Sequence, residues 1–160
     1  MSNAVTIEAP KGAPFVDIQR EFDAPVAAVF RAFTDEDLVR RWLGPRGYRM
    51  TVREWKAVTG GRYHYLHQDA EGAEYGFRGT FHTVRQDELI VQTFEYLGAP
   101  DVVSIDTMRF EDLGGRTRVH GHSVFPSIEA RDAIVQNGME HGLREGYEQL
   151  DELLAGAQAR

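Results

Sequence analysis

Two residues in the aromatic-rich middle of this chain, His67 and Asp106, are of types that accept and donate protons. Tyr63 and Tyr65 precede His67 at steps of two residues, so on a strand all three side chains would project from one face. Gln92, like Asp106, is a polar residue within a stretch that predicts a strand of the same region. Such groups in an apolar setting can transfer protons to an enolisable substrate, orient a bound molecule, or serve as hydrogen-bonded structural residues.

Metal and nucleophile chemistry have weaker support in the sequence. His120 and His122 lie two residues apart and could reach one ion from a strand, but no spaced Asp or Glu completes a set of three or four ligands. We therefore expect both histidines to point outward into solvent. No serine is flanked by the glycines of a nucleophile elbow, and the chain has no cysteine. We expect no metal, no cofactor and no covalent catalytic residue.

The elements that would position these residues begin with a strand and two short helices. Residues 15–22 alternate between apolar and polar types, which predicts a strand that ends before Pro25. Apolar residues at helical spacing then predict a helix from Pro25 to Thr34. A second short helix is predicted over Glu36 to Leu43, where Gly44-Pro45 ends it.

The pattern changes over residues 48–125, where β-branched and aromatic runs are separated by five turn-forming segments. This spacing predicts about six further strands in an antiparallel meander. Ser127 is then a good N-cap, and apolar residues at helical spacing predict a long helix to Leu154, which Asn137-Gly138 can kink or divide. The fold class predicted is α+β, with a curved antiparallel sheet of about seven strands packed on a long C-terminal helix.

Composition sets the domain organisation and excludes several partners. The 160 residues carry 18 Lys+Arg against 25 Asp+Glu, a net charge of -7, which argues against nucleic-acid binding. We expect a single domain over residues 15–155, a mobile N-terminal arm over 1–14 and a flexible tail over 156–160. The sequence contains neither a signal-peptide pattern nor a run of about 18 apolar residues, so we expect no membrane insertion and a cytoplasmic location.

Five short motifs, in this order, carry a resemblance to a known family: Phe22-Asp23-Ala24-Pro25, Trp42-Leu43-Gly44-Pro45, Gly60-Gly61-Arg62-Tyr63, Gly115-Arg116-Thr117-Arg118-Val119, and the stretch from Gly138-Met139-Glu140 to Leu154. The chain resembles the START-related, or helix-grip (SRPBCC), superfamily. Within it, the chain is similar to the branch of the C-terminal domain of the activator of heat-shock protein 90 ATPase. The resemblance covers residues 15–155 and implies the helix-grip fold with a ligand cavity between the curved sheet and the C-terminal helix.

The resemblance also implies which residues would line that cavity. Trp42 would stand near its mouth, and Met139, Leu143 and Tyr147 would form its roof. The strands would contribute inward side chains, which are Tyr63, Tyr65, Phe77, Phe81, Gln92, Phe94 and Met108. The alternative for the same residues is an ordinary packed core, because large aromatic side chains fill cores in any case.

The function expected from this resemblance is binding of a small, largely hydrophobic molecule, such as an aromatic or lipid-like ligand. A ligand-binding protein is favoured over an enzyme. Two alternatives stay open: a cyclase, dehydratase or hydrolase type of enzyme that uses the same cavity, and a co-chaperone-like or homodimeric protein-interaction module. The sequence does not identify the ligand, the oligomeric state or the register of the strands.

Overall fold

Eight strands and four helices follow one another along the chain in the computed structural model, which describes residues 3–158. The strands are β1 (Thr6–Glu8), β2 (Phe15–Phe22), β3 (Arg49–Trp55), β4 (Arg62–Gln68), β5 (Glu74–Arg85), β6 (Leu89–Tyr96), β7 (Val103–Asp112) and β8 (Thr117–Val124). The helices are α1 (Val26–Thr34), α2 (Glu36–Trp42), α3 (Ile128–Gln136) and α4 (Met139–Gln158). The predicted α+β class and the helix-grip arrangement are confirmed.

All eight strands form one curved, open antiparallel sheet in the order β1-β2-β8-β7-β6-β5-β4-β3. Strands β3 to β8 form a meander in which each strand pairs with the next, as the regular turn spacing predicted. Strand β2 then pairs with β8 along its whole length. This order places β6 and β7 in the middle of the sheet, where side chains on the covered face are expected to be most deeply buried.

The sheet has one strand more than the seven predicted, because β1 lies inside the segment predicted as a mobile arm. Ile7 of β1 pairs with Ile18 of β2, and the neighbouring pairs extend this contact to three residues. Strand β1 satisfies backbone groups that would otherwise be unpaired at the edge of β2. Three residues are too few to show a strand period in the sequence.

The C-terminal helix is divided where the sequence allowed a break. Gly138 has φ +87, a left-handed conformation that interrupts the helix between α3 and α4. The Ser127 hydroxyl accepts a hydrogen bond from the Ala130 N–H at 3.0 Å and caps α3 as predicted. Helix α4 continues to Gln158, so residues 156–158 of the predicted flexible tail are helical. Residues 1, 2, 159 and 160 lie outside the described part of the chain.

Helix α4 is fixed against the loop that follows α2. A Cβ atom added to Gly146 would meet backbone atoms of Trp42 and Gly44 at 3.4 to 3.5 Å, so the small residue permits this close approach. The Gln149 amide group donates a hydrogen bond to the Gly44 carbonyl at 2.8 Å. The second half of α4 is therefore held over one end of the sheet.

Candidate ligand-binding site

The covered face of the sheet is divided into two regions that differ in burial. The first, which we call the packed end, is covered by α1, α2 and the second half of α4. Its side chains are at most 8% exposed, and they are Phe22, Phe33, Trp42, Phe110, Tyr147 and Leu150. Aromatic rings there meet edge to face, for example Phe22 with Tyr147 at 5.3 Å and Phe33 with Phe110 at 5.2 Å.

The second region, which we call the open half, lies on β5, β6 and β7. Its side chains share the covered face of the sheet but are only half-buried, and they are Phe77, Gln92, Phe94, Asp106 and Met108. The apolar members pack against the core at their inner side. Strands β6 and β7 are central in the sheet, so the partial exposure of these side chains indicates that α3 and the first half of α4 do not cover them completely.

A row of nearly parallel aromatic rings borders the open half. Tyr63 stacks on Tyr65 at 6.0 Å, Tyr65 on Phe77 at 5.2 Å, and Phe77 on Phe94 at 5.5 Å between ring centroids. The angles between successive ring planes are 21°, 25° and 29°. We call this row the aromatic ladder. Tyr63 and Tyr65 are at most 4% exposed, so Phe77 and Phe94 are the members of the ladder that offer accessible apolar area.

Asp106 is the one acidic side chain among the open-half residues. Its carboxylate accepts a hydrogen bond from the Ser104 hydroxyl at 3.0 Å and another from Ser123, its partner across the β7–β8 pair. Burial raises the pKa of the Asp106 carboxyl, and the two serine hydrogen bonds oppose that rise. In the described part of the chain, no Lys, Arg or His forms an ion pair with this carboxylate.

Two tyrosine hydroxyls near this carboxyl differ in their hydrogen bonds. The Tyr63 hydroxyl donates to the Thr93 carbonyl at 2.5 Å and accepts from the Gln92 amide at 3.3 Å. Gly79 permits the first bond, because a Cβ there would lie 2.6 Å from the Tyr63 hydroxyl. The Tyr65 hydroxyl makes no hydrogen bond to any described residue, and burial together with the Asp106 charge raises its pKa. Of the two phenols, Tyr65 is thus the one whose hydroxyl has no hydrogen-bond partner among the described residues, although its side chain is only 4% exposed.

His67 is placed apart from Asp106. Three strand steps separate β4 from β7, and each residue has its own hydrogen-bond partners. His67 is 6% exposed and hydrogen-bonds to the backbone of Leu43, while its Nε2 atom has no partner. Burial lowers the pKa of His67 more than the Leu43 bond raises it. Joint proton transfer by His67 and Asp106, which the sequence left open, is therefore not supported by their positions.

The other predicted lining residues fall mainly in the packed end. Trp42 is 4% exposed, and its indole N–H donates to the Ala32 carbonyl at 2.8 Å, so it does not stand at a mouth. Of the predicted roof, Tyr147 is buried in the core, Leu143 packs against the core, and Met139 is half-buried. Phe81 is 1% exposed beneath the aromatic ladder. Their contact with a ligand stays a prediction.

Sequence reasoning did not identify Ser104 as a site residue, although a usable signal was present. The alternation that places Met108 and Asp106 inward on β7 also places Ser104 inward. Ser123 reaches Asp106 because the pairing of β7 with β8 places the two residues opposite each other. The sequence pattern of one strand does not reveal how it is aligned with its neighbour.

The two histidines considered for a metal lie on the outer face of the sheet, as expected. His120 Nε2 lies 2.9 Å from a Glu111 carboxylate oxygen, and His122 Nδ1 lies 2.6 Å from an Asp17 oxygen. Each histidine thus interacts with a different carboxylate. Within residues 3–158, no group of three or more His, Asp or Glu side chains is placed to hold a metal ion.

The described surface also contains two shallow depressions outside the open half. One, of about 250 Å³, lies near Thr6, Asp17 and His120 on the outer face. The other, of about 310 Å³, lies between residues 3–5 and α4 beside Arg20 and Tyr147. Apolar side chains are exposed on the outer face as well, at Val103, Ile105 and Val124. The homodimer expected as an alternative stays a prediction.

Known proteins resemble this chain over most of its length. The family model described as Activator of Hsp90 ATPase homolog 1-like protein matches residues 23–155. The chain belongs to this family. The match begins at the end of β2 and includes every residue of the open half and of the aromatic ladder. The comparison with curated proteins found no significant match to this chain.

Solved structures of similar proteins have the same fold. A solution structure of a protein from Arthrobacter aurescens is 27% identical, with a TM-score of 0.86, and the match covers 94% of this chain and 91% of that chain. A crystal structure of a protein from Rhodobacter sphaeroides is 24% identical, with a TM-score of 0.86 and coverage of 96% and 99%. The AHSA1 protein from Silicibacter pomeroyi is 19% identical, with a TM-score of 0.72 and coverage of 88% and 97%.

Within residues 3–158, no helix is both long enough and apolar enough to cross a membrane.

Proposed function

We propose that this protein binds a small, largely hydrophobic molecule on the open half of its sheet, beneath α3 and the first half of α4. One observation carries the proposal: the five open-half side chains on the covered face of β5, β6 and β7 are only half-buried, whereas those of the packed end are at most 8% exposed. Apolar groups left accessible at the middle of a sheet are unusual in a domain with a complete core. A ligand that covers them would complete the burial.

The chemistry of the open half supports a small ligand. Phe77, Phe94 and Met108 offer apolar area, and each square ångström removed from water contributes about 25 cal/mol. A few polar groups, Gln92, Asp106 and the Tyr65 hydroxyl, lie among them. Ligand sites of proteins are typically apolar surfaces with a small number of such orienting groups.

Thermal unfolding with a panel of lipids, flavonoids and polyketide-like aromatic molecules tests the proposal. A ligand that binds only the folded state raises the melting temperature as its concentration rises. Mass spectrometry of the gently denatured, freshly purified protein would detect a molecule that co-purifies. A clean extract together with no shift across the panel would contradict the proposal and favour a packed core.

Substitutions that fill or empty the open half locate the site. Met108→Trp should abolish binding while the protein stays folded, because the larger side chain occupies the half-exposed surface. Ile105→Trp is the matched control, since Ile105 lies on the same strand but is 52% exposed on the outer face. Phe94→Ala and Tyr63→Ala should weaken binding by removing part of the aromatic ladder. If Met108→Trp kept full affinity, the ligand would lie elsewhere.

A second candidate function is proton transfer in the same region, favoured by the environment of Asp106. Burial raises the pKa of this carboxyl, and phenol groups of Tyr63 and Tyr65 lie nearby, as a general acid or base requires. A cyclase, dehydratase or hydrolase activity would then be lost in Asp106→Asn while ligand binding persisted. His67→Ala would change the pH–rate profile only if His67 also took part, and its separation from Asp106 argues that it does not.

A further inference from the structure

We propose that the ligand of the open half is a small organic cation, an amine on an aromatic or apolar body, whose ammonium group binds the Asp106 carboxylate. This inference rests on the proposed function and names the chemistry of the ligand.

The covered face contains another charged residue, Arg20, which has a partner of opposite charge, whereas Asp106 has none among the described residues. Arg20 is 3% exposed and donates two hydrogen bonds to Asp151 of α4, at 2.7 and 2.6 Å. It also lies over the Phe22 ring at 4.8 Å. The fold therefore supplies its buried cation with a carboxylate and an aromatic face. Asp106 is surrounded instead by neutral groups and has no cation from the described chain.

The carboxylate of Asp106 also keeps acceptor capacity for a ligand. An ionised carboxylate has about four lone-pair positions. The hydroxyls of Ser104 and Ser123 occupy two of them and hold the group in place. The opposite neighbour, Gln92, directs its amide N–H to the Tyr63 hydroxyl instead. An ammonium group would fill the remaining positions and compensate for the removal of the carboxylate from water.

Aromatic and open surfaces lie where the body of such a ligand would rest. Phe77 and Phe94, the partly exposed rings of the aromatic ladder, offer apolar area to the body of the ligand. On the other side of Asp106, Gly121 pairs with Met108 and leaves space, since an added Cβ would come no closer than 3.5 Å to Ile18. A neutral or anionic head group would bind more weakly. The Asp106 carboxylate would repel an anion, and an alcohol would donate only an uncharged hydrogen bond to it.

The test compares head groups on a constant body. Phenylethyl, naphthylethyl and decyl compounds, each as the amine, the alcohol and the carboxylate, are titrated into the full chain by calorimetry. For at least one body the amine should bind ten times more tightly than the alcohol, and the carboxylate should bind most weakly. Asp106→Asn should reduce amine affinity at least tenfold and leave alcohol affinity within twofold. Glu111→Gln, which removes one negative charge from the outer face of the same strand, should leave both affinities unchanged.

The outcomes separate this inference from the proposed function. Equal affinities for amine and alcohol, with both abolished by Met108→Trp, would overturn the cation inference and leave the ligand site in place. An amine preference that survived in Asp106→Asn would overturn the assignment to Asp106. If no amine bound while a molecule of the lipid, flavonoid and aromatic panel raised the melting temperature, the cation inference would be overturned and the ligand site would remain; a clean extract and no shift across that panel would overturn both proposals.

Discussion

The packed end and the open half lie on the same face of one sheet, yet only the packed end is closed. At the packed end, Phe22 and Leu150 are completely buried, and the charge of Arg20 is matched by Asp151 of the helix above. In the open half, Phe94 and Asp106 are half-buried, and the carboxylate lacks a cationic partner in the described chain. The difference indicates that stability and binding are located in different regions of this domain.

The difference in burial between the two regions follows from the division of the C-terminal helix. Gly138 ends α3, and α4 is then anchored through Gly146 and Gln149 to the loop after α2. Helix α3 packs instead toward β2, where Arg131 donates to the Phe15 carbonyl at 3.2 Å. The two helix segments are thus fixed at positions that leave part of β6 and β7 uncovered.

The largest expected difference between the regions concerns aromatic truncation. Phe22→Ala should lower the free energy of unfolding by about 3–5 kcal/mol, because it leaves a cavity among completely buried groups. Phe94→Ala should cost only about 1–2 kcal/mol, since its side chain is not fully buried in the native protein. Urea unfolding of both variants measures the two losses. Equal losses would show that the open half is as tightly packed as the other end.

A second comparison concerns charge. Asp151→Ala should cost about 2–3 kcal/mol, because it leaves the buried Arg20 guanidinium without its carboxylate. Asp106→Asn should change stability by less than about 0.5 kcal/mol or increase it, since no ion pair is broken. The same unfolding experiment decides between these outcomes. A large loss in Asp106→Asn would mean that a cation of the chain stabilises this carboxyl after all.

A smaller loss of stability is expected when Trp42, at the end of α2, loses its indole N–H. Trp42→Phe should cost about 1–2 kcal/mol, because the buried Ala32 carbonyl loses its hydrogen-bond donor. Trp55→Phe is the matched control: its indole N–H donates to the Thr34 carbonyl at 2.7 Å, but this residue is half-buried and water can replace the bond. Calorimetric melting of both variants should rank Trp42→Phe as the less stable. The reverse order would place Trp42 in a more accessible position than the core.

The smallest expected effect is a pH dependence from His67. Burial lowers its pKa in the folded state, so the unfolded chain binds a proton at a higher pH than the folded chain does. Stability from the neutral imidazole is present above the unfolded pKa, near 6.5, and is lost as the pH falls below it. Between about pH 7.5 and about pH 5, native protein should therefore lose more stability than His67→Gln. Parallel pH profiles for the two proteins would contradict the depressed pKa.

Much of this architecture was predictable from local patterns. The helix starts at Pro25 and Ser127 and the break at Asn137-Gly138 follow from residues whose backbone preferences act over a few positions. The inward direction of Tyr63, Tyr65 and His67 follows from strand alternation, and burial confirms it. Strand β1 was missed because its stability comes from pairing with β2 and not from its own three residues.

The candidate site was predictable only in part. Alternation identified Gln92, Phe94 and Met108 as inward residues, but it did not separate them from core residues such as Phe81. The sequence left open whether His67 and Asp106 could act together in proton transfer. Their separation by three strand steps depends on the strand order, which a linear sequence does not state.

The sequence by itself determined the class of fold, the order of its elements and the face on which most side chains lie, because these depend on the local periods of strands and helices. Only the tertiary structure decided that Trp42 and Tyr147 fill the packed end, while Phe94 and Asp106 stay accessible. The reason is physical: burial and charge pairing depend on which elements meet in space. The position of α4, and with it the open half of the sheet, arises from contacts between residues about a hundred positions apart, such as Gly44 and Gln149.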